Sequence, residues 1–177
     1  MAWQGRVGMG NVDKLIPCIG CGAWVADVDG PTFRYPDAAS PGCWAVFGEI
    51  LAREYGEYRY PDVHRLTVDV YAVQHPGRQT PQTIQSVNVH LIGLCLTLQR
   101  GVASARVTEW MGKAVGKFKG QFVWLDPPAS LGPMTVLDVI KATNLADHEQ
   151  RVWRWALSCW EAWSEHHAAI RRWVELL

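Results

Sequence analysis

Nowhere does the sequence approach the roughly 20 consecutive apolar residues that a membrane-spanning helix needs. It has no surplus of either charge. Lys and Arg together number 17, as do Asp and Glu, so no basic excess points to nucleic acid. Met1 to Lys14 is polar and glycine-rich, without the charged start and apolar middle of a signal peptide. Gly5, Gly8 and Gly10 lack the Lys-Ser/Thr ending and the preceding strand of a phosphate-binding loop. No internal repeat or low-complexity tract is present. Cysteine numbers five, an odd count with two in a knuckle, which argues against a disulfide framework. Together these absences favour a globular cytoplasmic protein, with neither membrane nor nucleic acid as a partner.

The cysteines that are present fall in an informative place. Pro17-Cys18-Ile19-Gly20-Cys21-Gly22 is a CxxC knuckle closed by glycine, and Ser40-Pro41-Gly42 sets Cys43 in the opening turn of a helix. A CxxCG loop curls so that both sulfurs face one ion, as in structural zinc sites. A helix N-terminus favours a thiolate. Cys18, Cys21 and Cys43 therefore supply three of four tetrahedral ligands for a Zn2+ cofactor, with free structural thiols as the plainer alternative. Cys95 and Cys159 read as small core residues.

Residues 1–40 read as irregular, with turns at Asp27–Pro31 and Tyr35–Asp37 and a ribbon-like loop around the knuckle. Ser40 and Pro41 start a first helix that runs to about Tyr55. Pro61 starts a second, which stops before His75-Pro76-Gly77. Thr80-Pro81 opens a third, striped by Ile84, Val87, Leu91, Leu94 and Leu98 and ended by Gly101. A weaker helix covers about Ala103–Val115. Phe122–Pro128 is extended and ends in a rigid turn, and Thr135–Ala142 is a short helix. The last thirty residues form one amphipathic helix with Val152, Trp155, Cys159, Trp163, His166, Ile170 and Trp173 on its stripe. The fold class is mainly α: a single domain over 1–177, in which a metal-binding loop region (1–40) packs on an antiparallel helical bundle (41–177).

A short link between the first two helices makes them antiparallel and returns His75 to the level of Cys43. His75 is thus the preferred fourth ligand, with a cap on helix-end carbonyls as its other role. His64, eleven residues earlier, lies roughly 16 Å away along the axis and cannot share that ion. The same ladder brings His90 near the level of His64. His166 faces the core on the last helix, with His148 five turns before it on the same face. His64, His90 and His166 are thereby candidate catalytic residues around an open metal position, with Asp69 and Glu49 as carboxylates that orient a ring. The plainer alternative is three separate histidines bonded to their neighbours. Of His166 and His167, only one can point inward.

Ten tryptophans, five of them in the last segment, form either a thick aromatic core or a cage for a planar or cationic ligand. Their stripe is filled by helices two and three or by a second copy in a homodimer. Cys18–Gly22, Asp27–Pro31, Ser40–Trp44, His64–Gly77, Ile84–Leu91, Trp124–Pro128 and Trp160–Trp163 with His166-His167 resemble an uncharacterised bacterial family known only as a domain of unknown function. That likeness spans nearly the whole chain and implies no activity. A looser one, to DinB-like metal-binding bundles that act on small thiols, implies histidines from facing helices around a metal. Three functions remain: a metal-dependent enzyme for hydrolysis or small-group transfer with a histidine-lined pocket for a small-molecule ligand; a non-enzymatic zinc-stabilised adaptor; and a Cys18–Cys21 redox sensor.

Overall fold

The computed structural model describes residues 14–33, 35 and 37–177; the glycine run Gly5–Gly10 lies outside them. The knuckle forms the tip of a two-stranded antiparallel hairpin, β1 (Leu15–Pro17) and β2 (Trp24–Ala26), with Leu15 opposite Ala26 and Pro17 opposite Trp24. Strands of three residues bury little, and an isolated two-stranded hairpin is marginal in water. Val25 turns inward and joins the main core.

The rest is a mainly helical bundle: α1 (Pro41–Tyr55), α2 (His64–Gln74), α3 (Pro81–Arg100), α4 (Ser104–Phe118), α5 (Val136–Val139), α6 (Leu145–Ala162) and α7 (His167–Glu175). Helix α3 packs against α2, α4 and α7, while α6 covers the outer side of α2. No helix among the described residues is long and apolar enough to cross a membrane. Local chemistry sets the boundaries. Thr80 and Thr83 form a reciprocal cap at the start of α3, and Gly101 ends it in the left-handed region at φ 61°. Thr135 and Asp138 cap α5 in the same way. Pro61 precedes α2 by a turn, the first helical residue being His64.

Helices α1 and α2 run antiparallel, and side chains span the gap between them. Cys43 meets His75 at 3.4 Å, the Phe47 and Tyr71 rings stack at 3.8 Å, and Glu54 meets His64 at 2.7 Å. Each step along α1 is matched by a step backward along α2.

The expected single terminal helix is interrupted. After Ala162 the chain tightens into a 3-10 turn, Ser164–His166, before α7 begins. A 3-10 turn advances about 120° per residue against 100° in an α-helix, so three residues rotate the stripe by about 60°. His167, not His166, is the inward histidine: His167 is buried and His166 only half-buried. Its ring stacks on Trp160 at 3.8 Å and its Nε2–H donates to the Trp160 carbonyl at 2.9 Å. Trp155, Trp160 and Trp163 are buried core residues. Trp155 donates its indole N–H to Gln74 Oε1 at 2.9 Å, whereas the Trp160 and Trp163 N–H groups are buried with no partner among the described residues.

Candidate metal centre

Four chemically suitable side chains converge where the hairpin tip meets the N-terminus of α1 and the C-terminus of α2. The sulfurs of Cys18, Cys21 and Cys43 and a ring nitrogen of His75 all lie within 4.8 Å of one another and could hold a metal ion. Cys43 Sγ is 3.4 Å and Cys18 Sγ 3.7 Å from His75 Nε2, and Cys21 Sγ is 3.8 Å from Cys43 Sγ. The His75 Nδ1–H donates to the Tyr71 carbonyl at 2.8 Å. That bond fixes the tautomer and leaves the Nε2 lone pair aimed at the thiols, the arrangement a metal-binding imidazole needs.

Ser40 serves the knuckle rather than its own helix. Its hydroxyl makes no cap bond to α1; it accepts the Ile19 N–H at 3.1 Å, and the Ser40 N–H donates to Cys18 Sγ at 3.4 Å. The middle of the CxxC tolerates no side chain at Gly20. A Cβ there would lie 2.2 Å from the Ala38 carbonyl oxygen and 2.5 Å from His75 Cδ2. Gly22 then turns the chain back at φ 74°.

The thiols are electrostatically unequal. The neighbouring Cys21 and Cys43 thiols, with His75 beside them, hold Cys18 far below the usual thiol range. Cys21 is pushed up to about 12 by its contact with Cys18 and by burial. Contact with Cys18, contact with Cys21 and burial push Cys43 higher still. A cation bound among the thiols would displace the remaining protons.

The three histidines expected to share an open site are not brought together. His64 donates Nδ1–H to Glu54 Oε2 at 2.7 Å, and its Nε2 faces the Tyr55 hydroxyl at 3.2 Å. His90 donates Nδ1–H to Asp69 Oδ1 at 2.7 Å, and Arg65 binds the same oxygen. His166 is half-buried and donates Nε2–H to the Asp126 carbonyl at 2.8 Å. Among the described residues, the Cys3His cluster is the one group of three or more such side chains spaced for an ion. Asp69 does orient a ring, as its position suggested. Glu49 is exposed and orients none.

The carboxylate that matters at the far end of α1 is Glu54, which the sequence did not single out. It is fully buried. Besides His64 it accepts from His148 Nε2–H at 2.7 Å and from the Thr67 hydroxyl at 2.6 Å, both on Oε1. Burial alone would raise its pKa. The hydrogen bonds from His148, His64 and Thr67 outweigh burial and hold it below the usual carboxylate value. The sequence held one signal for this cluster: an acidic residue in the last turn of a helix, where the macrodipole disfavours it.

A cleft of about 510 Å3 opens beside the Cys3His cluster, lined by the knuckle, Pro76-Gly77 and the segment Pro127–Leu131. Gln74, one residue before His75, anchors its far wall through Nε2–H bonds to the Leu131 and Met134 carbonyls at 3.0 and 2.8 Å.

No match was found among curated proteins, and none among solved structures. Residues 16–164, which include all four cluster residues, match the model of the family of unknown function DUF5946, and the chain belongs to that family.

Proposed function

We propose that this member of a family of unknown function is a non-enzymatic, zinc-stapled helical module, in which Cys18, Cys21, Cys43 and His75 bind one Zn2+ that locks the hairpin onto α1 and α2. The observation that carries this reading is the spacing of the four donor atoms. Zinc–sulfur bonds of about 2.3 Å and zinc–nitrogen bonds of about 2.05 Å in a tetrahedron require S···S edges of about 3.8 Å and S···N edges of about 3.6 Å. The distances of 3.8 Å for Cys21–Cys43, and 3.4 and 3.7 Å for His75 to Cys43 and Cys18, sit on those values. Four protein donors leave no coordination position for water, which is the mark of a structural site.

The energetics agree with that role. Structural zinc in small peptides is worth about 10–16 kcal/mol at neutral pH. A hairpin of three-residue strands cannot hold itself in place against chain entropy, whereas a metal tie of that size can. The enzymatic alternative needs an open metal position among histidines, and His64, His90 and His166 are each committed to a different acceptor.

The test is metal content per chain, by elemental analysis of protein purified without added metal, with Cys43→Ser and His64→Ala alongside. One zinc equivalent in the wild type, lost in Cys43→Ser and kept in His64→Ala, supports the staple. Metal-free wild type, or a second equivalent lost in His64→Ala, overturns it.

A further inference from the structure

The four cluster residues are unequally protected. Cys18 is 4% exposed, and Cys43 and His75 are fully buried, while Cys21 is half-buried and lines the cleft of about 510 Å3. That cleft is built rather than accidental. Its far wall, Pro127–Leu131, is pinned at one end by His166 on the Asp126 carbonyl and at the other by Gln74 on the Leu131 carbonyl. Gln74 is in turn fixed by the indole N–H of Trp155. Both knuckle cysteines line the cleft, and Cys21 is the more exposed of the two. Directly behind it, 3.8 Å away, stands the buried sulfur of Cys43.

We infer that Cys21 is a reaction site for hydroperoxides, and that its product is a Cys21–Cys43 disulfide whose formation expels the metal. The chemistry balances with the peroxide as the two-electron oxidant. The Cys21 sulfur attacks the outer oxygen of ROOH; the O–O bond breaks, an S–O bond forms, and RO− takes a proton from water and leaves as ROH. The Cys43 sulfur then attacks the sulfenic sulfur of Cys21, the S–O bond breaks, and hydroxide leaves and is protonated to water. Each sulfur gives up one electron. Zinc keeps its oxidation state, and with two of its four donors joined to each other it is released. The CxxC spacing alone suggests a Cys18–Cys21 bridge. The structure instead holds the Cys18 sulfur with the Ser40 N–H and sets the Cys21 and Cys43 sulfurs 3.8 Å apart.

The metal-release half of this inference rests on the zinc reading above. The experiment therefore scores metal and disulfide separately. Full-length protein as purified is assayed for metal, titrated with hydrogen peroxide, blocked with N-ethylmaleimide and digested with trypsin. Cys18 and Cys21 fall in the peptide 15–34 and Cys43 in 35–53. The expected result is loss of two thiols per peroxide consumed, a link between these two peptides with fragment ions at Cys21 and Cys43, and metal released in step. A bridge inside 15–34, a bridge from Cys18 to Cys43, or thiols that outlast a large peroxide excess overturns the inference. A wild type that holds no metal yet forms the Cys21–Cys43 link sinks the zinc reading and the metal-release half, and leaves the reaction site standing. Cys21→Ser, checked for helical content by circular dichroism, is expected to lose the peroxide-dependent bridge; a folded variant that reacts as fast as wild type also refutes the proposal.

Discussion

Replacing Glu54 puts the buried network at the far end of α1 and α2 to a quantitative test. Its carboxylate is fully buried and accepts from His64, His148 and Thr67. In Glu54→Ala all three donors lose their acceptor inside the core. Breaking a buried ionic network by removing one partner costs about 3–5 kcal/mol. For a chain of this size each kcal/mol moves the melting temperature by about 2–4 °C, so a drop of roughly 6–20 °C is expected. Glu54→Gln keeps the shape and one carbonyl oxygen, and places an amide N–H2 opposite a ring N–H; about 2 kcal/mol is expected from that mismatch. The acid limb supplies an independent reading. The Glu54 pKa is lower in the folded chain than its ordinary 4.5. Its contribution to stability is accordingly complete above about pH 4.5, and is lost as the pH falls through the lower folded value. Urea unfolding followed by circular dichroism at pH 7 and at pH 3–4 separates the two effects. Glu54→Gln should be weaker than wild type at pH 7 and should lose less stability on acidification. If Glu54→Ala stays within about 1 kcal/mol of wild type at pH 7, the network contributes nothing net and the reasoning fails.

Two further substitutions probe the metal end. Gly20→Ala drives a methyl group against the Ala38 carbonyl and the His75 ring, so zinc affinity measured by chelator competition should fall about tenfold or more, and unchanged affinity would show that the knuckle can shift aside. Gln74→Leu removes the bonds to the Leu131 and Met134 carbonyls and the acceptor of the Trp155 indole, leaving the His166 anchor at Asp126; a loss of about 2–4 kcal/mol is expected, with faster hydrogen exchange confined to the segment around residues 127–134.

The gathering of Cys18, Cys21, Cys43 and His75 was legible because these residues stand at punctuated boundaries. The CxxCG knuckle, the Ser40-Pro41 helix start and the His75-Pro76-Gly77 stop are local signals, and a short connection between α1 and α2 is enough to bring Cys43 and His75 level. Helix starts at Pro41 and Pro81 and the end at Gly101 were readable for the same reason. Glu54 was hidden because its partner His148 lies 94 residues away, and no periodicity records a contact at that distance. The break after Ala162 was hidden because apolar residues continue through it: Trp163 and Ile170 are both buried on either side of the 3-10 turn. Hydrophobic spacing reports which residues go inside and is nearly blind to a phase slip of about 60°. His166, expected on the core face, is half-buried and bonds instead to the loop that walls the cleft.

The antiparallel pairing of α1 and α2 has a mechanical consequence. The pair is tied at one end through Cys43 and His75 and at the other through Glu54, His64 and Thr67, with the Phe47–Tyr71 stack as a spacer in between. Two rods fastened at both ends have no pivot, because rotation about either tie is blocked by the other. Loosening one tie changes the kind of motion allowed: the surviving tie becomes a hinge, and the free ends can swing apart.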